Sequence, residues 1–216
     1  MSAVPAESAV EVEGVSRRYG RRWALADVSF RVPAASVLMI AGRNGAGKST
    51  LLRVLATAIR PDRGRVRVGG FDAVREREDV RKRTALLSHH NYLYESLTAR
   101  ENLVVVADHL RASRDSIDGI LAEVGLAARA HDLVSTFSAG MRKRLSFARI
   151  LLQQPRVVLL DEPYGALDPA GFDLVDAFIR AFRERGATVL FATHQLERSA
   201  KLADASLVLE DGRVVA

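Results

Sequence analysis

A short apolar run, residues 36–41, leads straight into a glycine-rich loop, Gly42-Arg43-Asn44-Gly45-Ala46-Gly47-Lys48-Ser49-Thr50. This G-x-x-x-x-G-K-[ST] pattern constrains the fold more than any other stretch. A buried strand must deliver the loop and a helix must leave it. The glycines let the chain turn tightly and bring backbone N–H groups up to phosphate oxygens. The helix opening on Thr50-Leu51-Leu52-Arg53-Val54-Leu55 aims the positive end of its dipole at the same point. Lys48 is then placed to reach the β- and γ-phosphates of a nucleotide, and Ser49 to hold Mg²⁺.

A second apolar run, Val157-Val158-Leu159-Leu160, ends in Asp161-Glu162-Pro163. A continuous apolar strand belongs in a parallel sheet covered on both faces. Ligands of such sheets bind at the carboxyl ends of the strands, so both acids fall at the right edge. Asp161 suits the Mg²⁺ shell. Glu162, one residue on, points elsewhere and is placed to polarise an attacking water. A third apolar strand, Val189-Leu190-Phe191-Ala192, ends in Thr193-His194.

Phe137-Ser138-Ala139-Gly140-Met141 lies ahead of the carboxylates. By itself it reads as a helix entry with Ser138 as N-cap. Taken with the loop and the carboxylate strand, the chain resembles the ATP-binding cassette (ABC) ATPases, whose signature is L-S-G-G-Q. Ser138 and Gly140 match that signature, and Phe137, Ala139 and Met141 depart from it. The resemblance implies ATP and Mg²⁺ as cofactors and a homodimer with two ATPs between its subunits. One subunit would supply Lys48, Ser49, Asp161, Glu162 and His194 to each site. The other would supply Ser138, Ala139, Gly140 and Met141, with the missing glutamine amide placing the Met141 contact in question.

Further positions follow from the same resemblance. Tyr19, in the stretch Arg17-Arg18-Tyr19-Gly20, is similar to the aromatic that stacks on adenine. Ala166-Leu167-Asp168 resembles the D-loop at the dimer interface. His194 resembles the switch histidine, and His89 or His90 stands where the family has a glutamine. The family fold is a P-loop NTPase (ABC ATPase) α/β core with an antiparallel β subdomain and an inserted helical subdomain. The chain is expected to be one such domain, residues 1–216, with the helical part at about 90–153.

Strands are expected at residues 10–15, 24–32, 65–68 and 206–209, the last closing the fold. Helices are expected at 49–58, 98–111, 116–124, 139–153, 169–185 and 195–202. The 48% hydrophobic content of the 216 residues suffices for one large core. No apolar run approaches the roughly 20 residues that span a bilayer. The opening residues lack the basic and apolar regions of a signal peptide. Cysteine is absent, which excludes disulfides and cysteine zinc sites. The ABC resemblance implies a peripheral location, on the cytoplasmic face of the inner membrane, beside an integral permease subunit. A net charge of +6 invites a nucleic-acid partner. The arginines are spread along the chain without an aromatic-interleaved platform, so none is expected.

Two function classes follow. The first is the ATPase subunit of an ABC transporter. Within that class, FSAGM with Arg142-Lys143-Arg144-Leu145, the DEPYGALD stretch (residues 161–168) and the His89-His90 pair resemble the cytochrome c maturation (haem exporter) ATPases, with another ABC exporter as the alternative. The second class is a non-transport ABC ATPase acting on DNA or the ribosome. The interval from Lys48 to Ser138 carries no heptad run of the kind such proteins insert.

Overall fold

Alternating and continuous apolar runs sort into two different sheets in the computed structural model, which describes residues 8–88, 92–165, 167 and 169–215. The chain begins with β1 (Ser8–Tyr19), β2 (Arg22–Pro33), β3 (Val37–Ala41), α1 (Lys48–Leu55), β4 (Arg63–Val68) and β5 (Phe71–Asp72). It continues through α2 (Arg77–Arg83), β6 (Thr84–Leu87), α3 (Ala99–Leu110), α4 (Ile117–Glu123), α5 (Ala139–Gln153) and β7 (Val157–Asp161). It closes with α6 (Pro169–Glu184), β8 (Thr188–Ala192), α7 (Leu196–Ser199), β9 (Ala205–Glu210) and β10 (Arg213–Val214).

The alternating strands form an antiparallel sheet in the order β2-β1-β4-β5. Val10, Val12, Val66 and Val68 point inward and are buried. Between them, Glu11 stands opposite Arg31 and Arg67, Glu13 opposite Arg65, and Arg67 opposite Asp72. Opposite charges across strands stabilise the sheet modestly. Arg31, Arg65 and Arg67 thus serve this solvated ladder.

The continuous runs form the second sheet, ordered β10-β9-β3-β8-β7-β6. Strands β9, β3, β8, β7 and β6 are parallel, and β10 folds back antiparallel on β9. Every residue of β3, β7 and β8 is buried. Their side chains alternate between two cores. Leu38, Ile40, Leu159 and Leu190 face α1 and the antiparallel sheet, meeting Leu51, Leu52 and Leu55. Met39, Val158, Leu160 and Phe191 face the helices, meeting Leu103, Leu121, Leu145 and Phe178. Each fully buried leucine of α1 contributes roughly 1.5–3 kcal/mol, so this eight-residue helix is held by its two neighbouring sheets rather than by its own length.

Of the helices expected over the middle of the chain, α5 has the expected ends, and α3 and α4 are each one residue shorter at both ends. Thr98 and Glu101 form a reciprocal capping box at the start of α3, and the buried Asn102 amide ties down the Tyr94 backbone at 2.8 and 3.0 Å. The expected helix at 195–202 is only the single turn α7. Four of these elements were not expected: α2, β5, β6 and β10. The expectation that residues 206–209 close the fold is corrected by β10, which follows them and pairs with β9.

Candidate functional site

Strands β3, β8 and β7 are neighbours, and their register aligns Ile40, Ala192 and Asp161 in one row. The three segments that carry chemistry therefore leave the sheet side by side: the glycine loop, Thr193-His194, and Glu162. This is the crevice at the carboxyl ends of a parallel sheet.

Backbone packing shapes the loop. Gly42, Gly45 and Gly47 all have positive φ, at 145°, 83° and 109°. A Cβ on Gly42 would lie 2.3 Å from the Leu209 carbonyl oxygen, and one on Gly47 would lie 2.4 Å from that of Ala24. Only glycine admits these approaches. Ala46 donates to the Arg43 carbonyl at 3.1 Å and is itself buried, while Arg43, Asn44 and Gly45 are exposed. Lys48 opens α1 and is buried, and Thr50 is half-buried one turn into it. The Lys48 ammonium folds back over the loop and donates to the carbonyls of Gly42 at 2.7 Å and Arg43 at 3.3 Å.

Ser49 donates its hydroxyl to Asp161 Oδ1 at 2.9 Å, and Asp161 is buried. A hydroxyl and a carboxylate oxygen side by side form a hard-oxygen pair suited to Mg²⁺. Phosphate oxygens and water would supply its remaining oxygen ligands. A concave loop of backbone amides at a helix N-terminus likewise fits a phosphate chain.

Glu162 turns away from Asp161, as its position at the end of β7 suggests. Its φ is 48°, a conformation costly for a non-glycine residue, and its amide donates to the Ala192 carbonyl at 2.9 Å. The carboxylate bridges two groups: Oε2 lies 2.9 Å from His194 Nδ1, and Oε1 lies 3.9 Å from Lys48 Nζ. His194 is itself exposed, and its Nε2 lies 3.4 Å from the Gln195 amide nitrogen. The resemblance noted in the sequence implied that Glu162, His194, Lys48, Ser49 and Asp161 serve one site, and the structure groups all five in one cluster.

Two nearby cations escaped sequence reasoning. Lys143, on α5, is buried and donates to the Glu162 carbonyl at 3.4 Å. Burial pushes its ammonium pKa down, against the opposing pull of Asp161 and Glu162. The available signal was periodicity, since Lys143 falls on the buried face of α5 with Leu145, Phe147 and Leu151. Arg22 begins β2, and its guanidinium lies 3.9 Å from where a Gly45 Cβ would stand. It pairs with Tyr19 across the β1–β2 turn, so the tip of that hairpin leans on the loop. Tyr19 is 48% exposed, with the Arg17 guanidinium 5.1 Å from its ring centroid.

The FSAGM segment stands apart from this cluster. Ser138 caps α5 by accepting from the Met141 amide at 3.2 Å. Ser138 and Ala139 are exposed, and Gly140 and Met141 are half-buried. The candidates His89, His90 and Asp168 lie outside the described residues.

Comparison with known proteins agrees with the geometry. Residues 25–165 match the protein family described as ABC transporter. The daunorubicin resistance ATP-binding protein DrrA3 of Streptomyces coeruleorubidus is 42% identical over 98% of this chain and 68% of its own length. The Nod factor export ATP-binding protein I of Rhizobium johnstonii is 34% identical over 96% of this chain and 68% of its own. The chain thus spans about two thirds of each relative. A solved structure described as the ATP-binding subunit of an ABC transporter superposes with a TM-score of 0.88 at 29% identity, covering 96% of this chain and 88% of the other.

Proposed function

The chain belongs to the ABC transporter family as an ATP-binding cassette with ATPase function, and from that premise we propose that it powers export through a separate membrane subunit. The observation that carries the catalytic part is the Glu162 carboxylate held between Lys48 and His194, beside the Ser49–Asp161 pair. In this reading Lys48 exchanges its loop carbonyls for the β- and γ-phosphates. Arg43, Asn44, Gly45, Ala46 and Thr50 line the phosphate chain with backbone amides. Ser49 and Asp161 hold Mg²⁺, which supplies charge stabilisation at the transferring phosphoryl group. Glu162 polarises the attacking water, and His194 steadies it. Positioning and electrostatics then supply most of the rate.

The exposed Ser138 and Ala139, with the half-buried Gly140 and Met141, would serve the site of a second copy, with Asp168 at the same interface and His89 or His90 in the glutamine position. ATP would then join two cassettes and hydrolysis would part them. The reading keeps one cassette over residues 1–216, with its helical insertion at about 90–153. Tyr92 and Tyr94, at the start of that insertion, are 70% and 57% exposed and, with Leu97, would form the surface on which a permease seats. No described helix is long and apolar enough to cross a membrane, so the spanning segments would come from that partner, with this chain on the cytoplasmic face.

The direction of transport rests on two relatives, one named for Nod factor export and the other for daunorubicin resistance. Haem export and cytochrome c biogenesis, the finer resemblance noted in the sequence, draw no support from either. Tagged chain recovered from gently solubilised host membranes is expected to bring down a multi-span permease identifiable by mass spectrometry. Recovery of cytochrome c biogenesis membrane proteins would reinstate the haem reading. Recovery of ribosomal or other soluble partners alone would overturn the transporter reading.

Tyr19 provides a second check. Stacking of a base on an aromatic ring contributes about 1–3 kcal/mol. Tyr19→Ala is therefore expected to raise the KM for ATP about tenfold at nearly constant kcat in a steady-state phosphate-release assay. An unchanged KM would remove Tyr19 from the nucleotide site.

A further inference from the structure

The 2.9 Å contact between Glu162 and His194 joins two segments that the sheet aligns only as far as Asp161 and Ala192. Beyond that row the paths diverge. One chain turns through Pro163, Tyr164 and Gly165 toward α6, and the other enters α7. A single helical turn has too little cooperativity to hold its own shape, so α7 must be fixed from outside.

The structure shows what fixes it. Asp176, buried on α6, presents its two carboxylate oxygens to two different segments. Oδ1 accepts from the hydroxyl of Tyr164 at 2.7 Å, and Oδ2 accepts from Nε of Arg198, on α7, at 2.8 Å. Arg198 also pairs with Asp173, and its guanidinium lies 5.7 Å from the centroid of Phe172. The Tyr164 ring meets the same Phe172 edge-on at 5.5 Å. Tyr164 stands two residues after Glu162, and Arg198 four after His194.

We infer that Asp176 is a positioning residue, whose carboxylate, through Tyr164 and Arg198, locks the segments after β7 and β8 in the relative placement that brings Glu162 and His194 together. Packing alone does not call for such an arrangement. A buried carboxylate needs partners to offset its desolvation, and an apolar trio of similar volume would hold the helices at least as well. Charge-assisted hydrogen bonds add direction and length, which is what a catalytic pair requires of its supports. Burial, with the bond to Asp176 and its charge, pushes the Tyr164 phenol pKa well up, with Ser199 and Arg198 pulling partly back, so Tyr164 remains a donor at neutral pH.

This inference rests on Glu162 and His194 acting in hydrolysis, and the test separates the two. Tyr164→Phe and Asp176→Asn are each expected to lower kcat about tenfold, since displacement on the order of 1 Å can cost up to about 10²-fold. The KM for ATP should stay within about twofold, because no residue of the bridge faces the phosphate loop. In a Glu162→Gln background, Tyr164→Phe should add nothing to the residual single-turnover rate, because a residue acting through Glu162 is silent once Glu162 is gone. Wild-type kcat in both bridge variants would overturn the inference and leave the catalytic reading intact. So would a KM that rises with a falling melting temperature, or an equal further loss in the Glu162→Gln background. Wild-type turnover by Glu162→Gln alone would instead overturn the catalytic reading and the inference with it.

Discussion

Glu162→Gln is expected to keep ATP bound and to lose at least about 10²-fold in turnover, equivalent to roughly 2.7 kcal/mol of barrier. The substitution preserves size and leaves the backbone burden unchanged, since glutamine inherits the same φ of 48°. An amide can still meet His194 Nδ1, now 2.9 Å from Oε2, so the local packing survives. What disappears is the negative charge that draws a proton from water. Binding should hold or tighten, because the change removes an anion 3.9 Å from the ammonium that is to receive phosphate. Trapped ATP should then hold two copies together. Phosphate release and size-exclusion chromatography in Mg²⁺-ATP check both halves. Turnover near the wild-type rate would take Glu162 out of the chemistry.

That expectation was open to sequence reasoning because the machinery sits where chain pattern and topology coincide. Strands β3, β7 and β8 are buried on both faces, so each reads as an unbroken apolar run, and each is followed by candidate site residues. The edge strand β6 is only Thr84-Ala85-Leu86-Leu87, too short to signal. Helix α2 buries Val80 alone and shows no apolar stripe, and β10 has two residues. Lys143 and Asp176 were illegible for another reason. Their partners lie 19, 12 and 22 residues away and meet them only once α5, α6 and α7 have packed. A buried charge cannot be told from a solvated one until its neighbours are placed.

The haem resemblance shows a different limit. Its carriers were FSAGM with Arg142-Lys143-Arg144-Leu145, DEPYGALD, the His89-His90 pair and the single short cassette, most of them segments proposed to serve nucleotide. Residues selected for phosphate chemistry carry no information about cargo.

The phosphate loop offers the sharpest separation between what its motif requires and what the surrounding fold imposes. Gly47→Ala is expected to abolish measurable ATP binding, weakening it at least about 10²-fold. It should also destabilise the fold by about 1–3 kcal/mol from the backbone conformation alone. At φ 109° an L-residue is already strained, and its Cβ would meet the Ala24 carbonyl oxygen at 2.4 Å and Leu25 Cδ2 at 3.0 Å. Neither can retreat easily. Strand β2 is paired along its length with β1, and Ala26 donates to the Gly212 carbonyl at 2.8 Å, which pins it against the β9–β10 turn. The loop must therefore yield, and with it the amides that face phosphate. Gly45→Ala makes the comparison informative. Its φ of 83° carries similar strain, yet the nearest atom to its Cβ is the flexible Arg22 guanidinium at 3.9 Å. That variant should bind ATP only several-fold more weakly, as read by titration with a fluorescent ATP analogue alongside thermal melts. Equal loss in both variants would mean that conformational strain alone governs the loop, whereas loss confined to Gly47→Ala would show that the antiparallel sheet presses the phosphate site into shape.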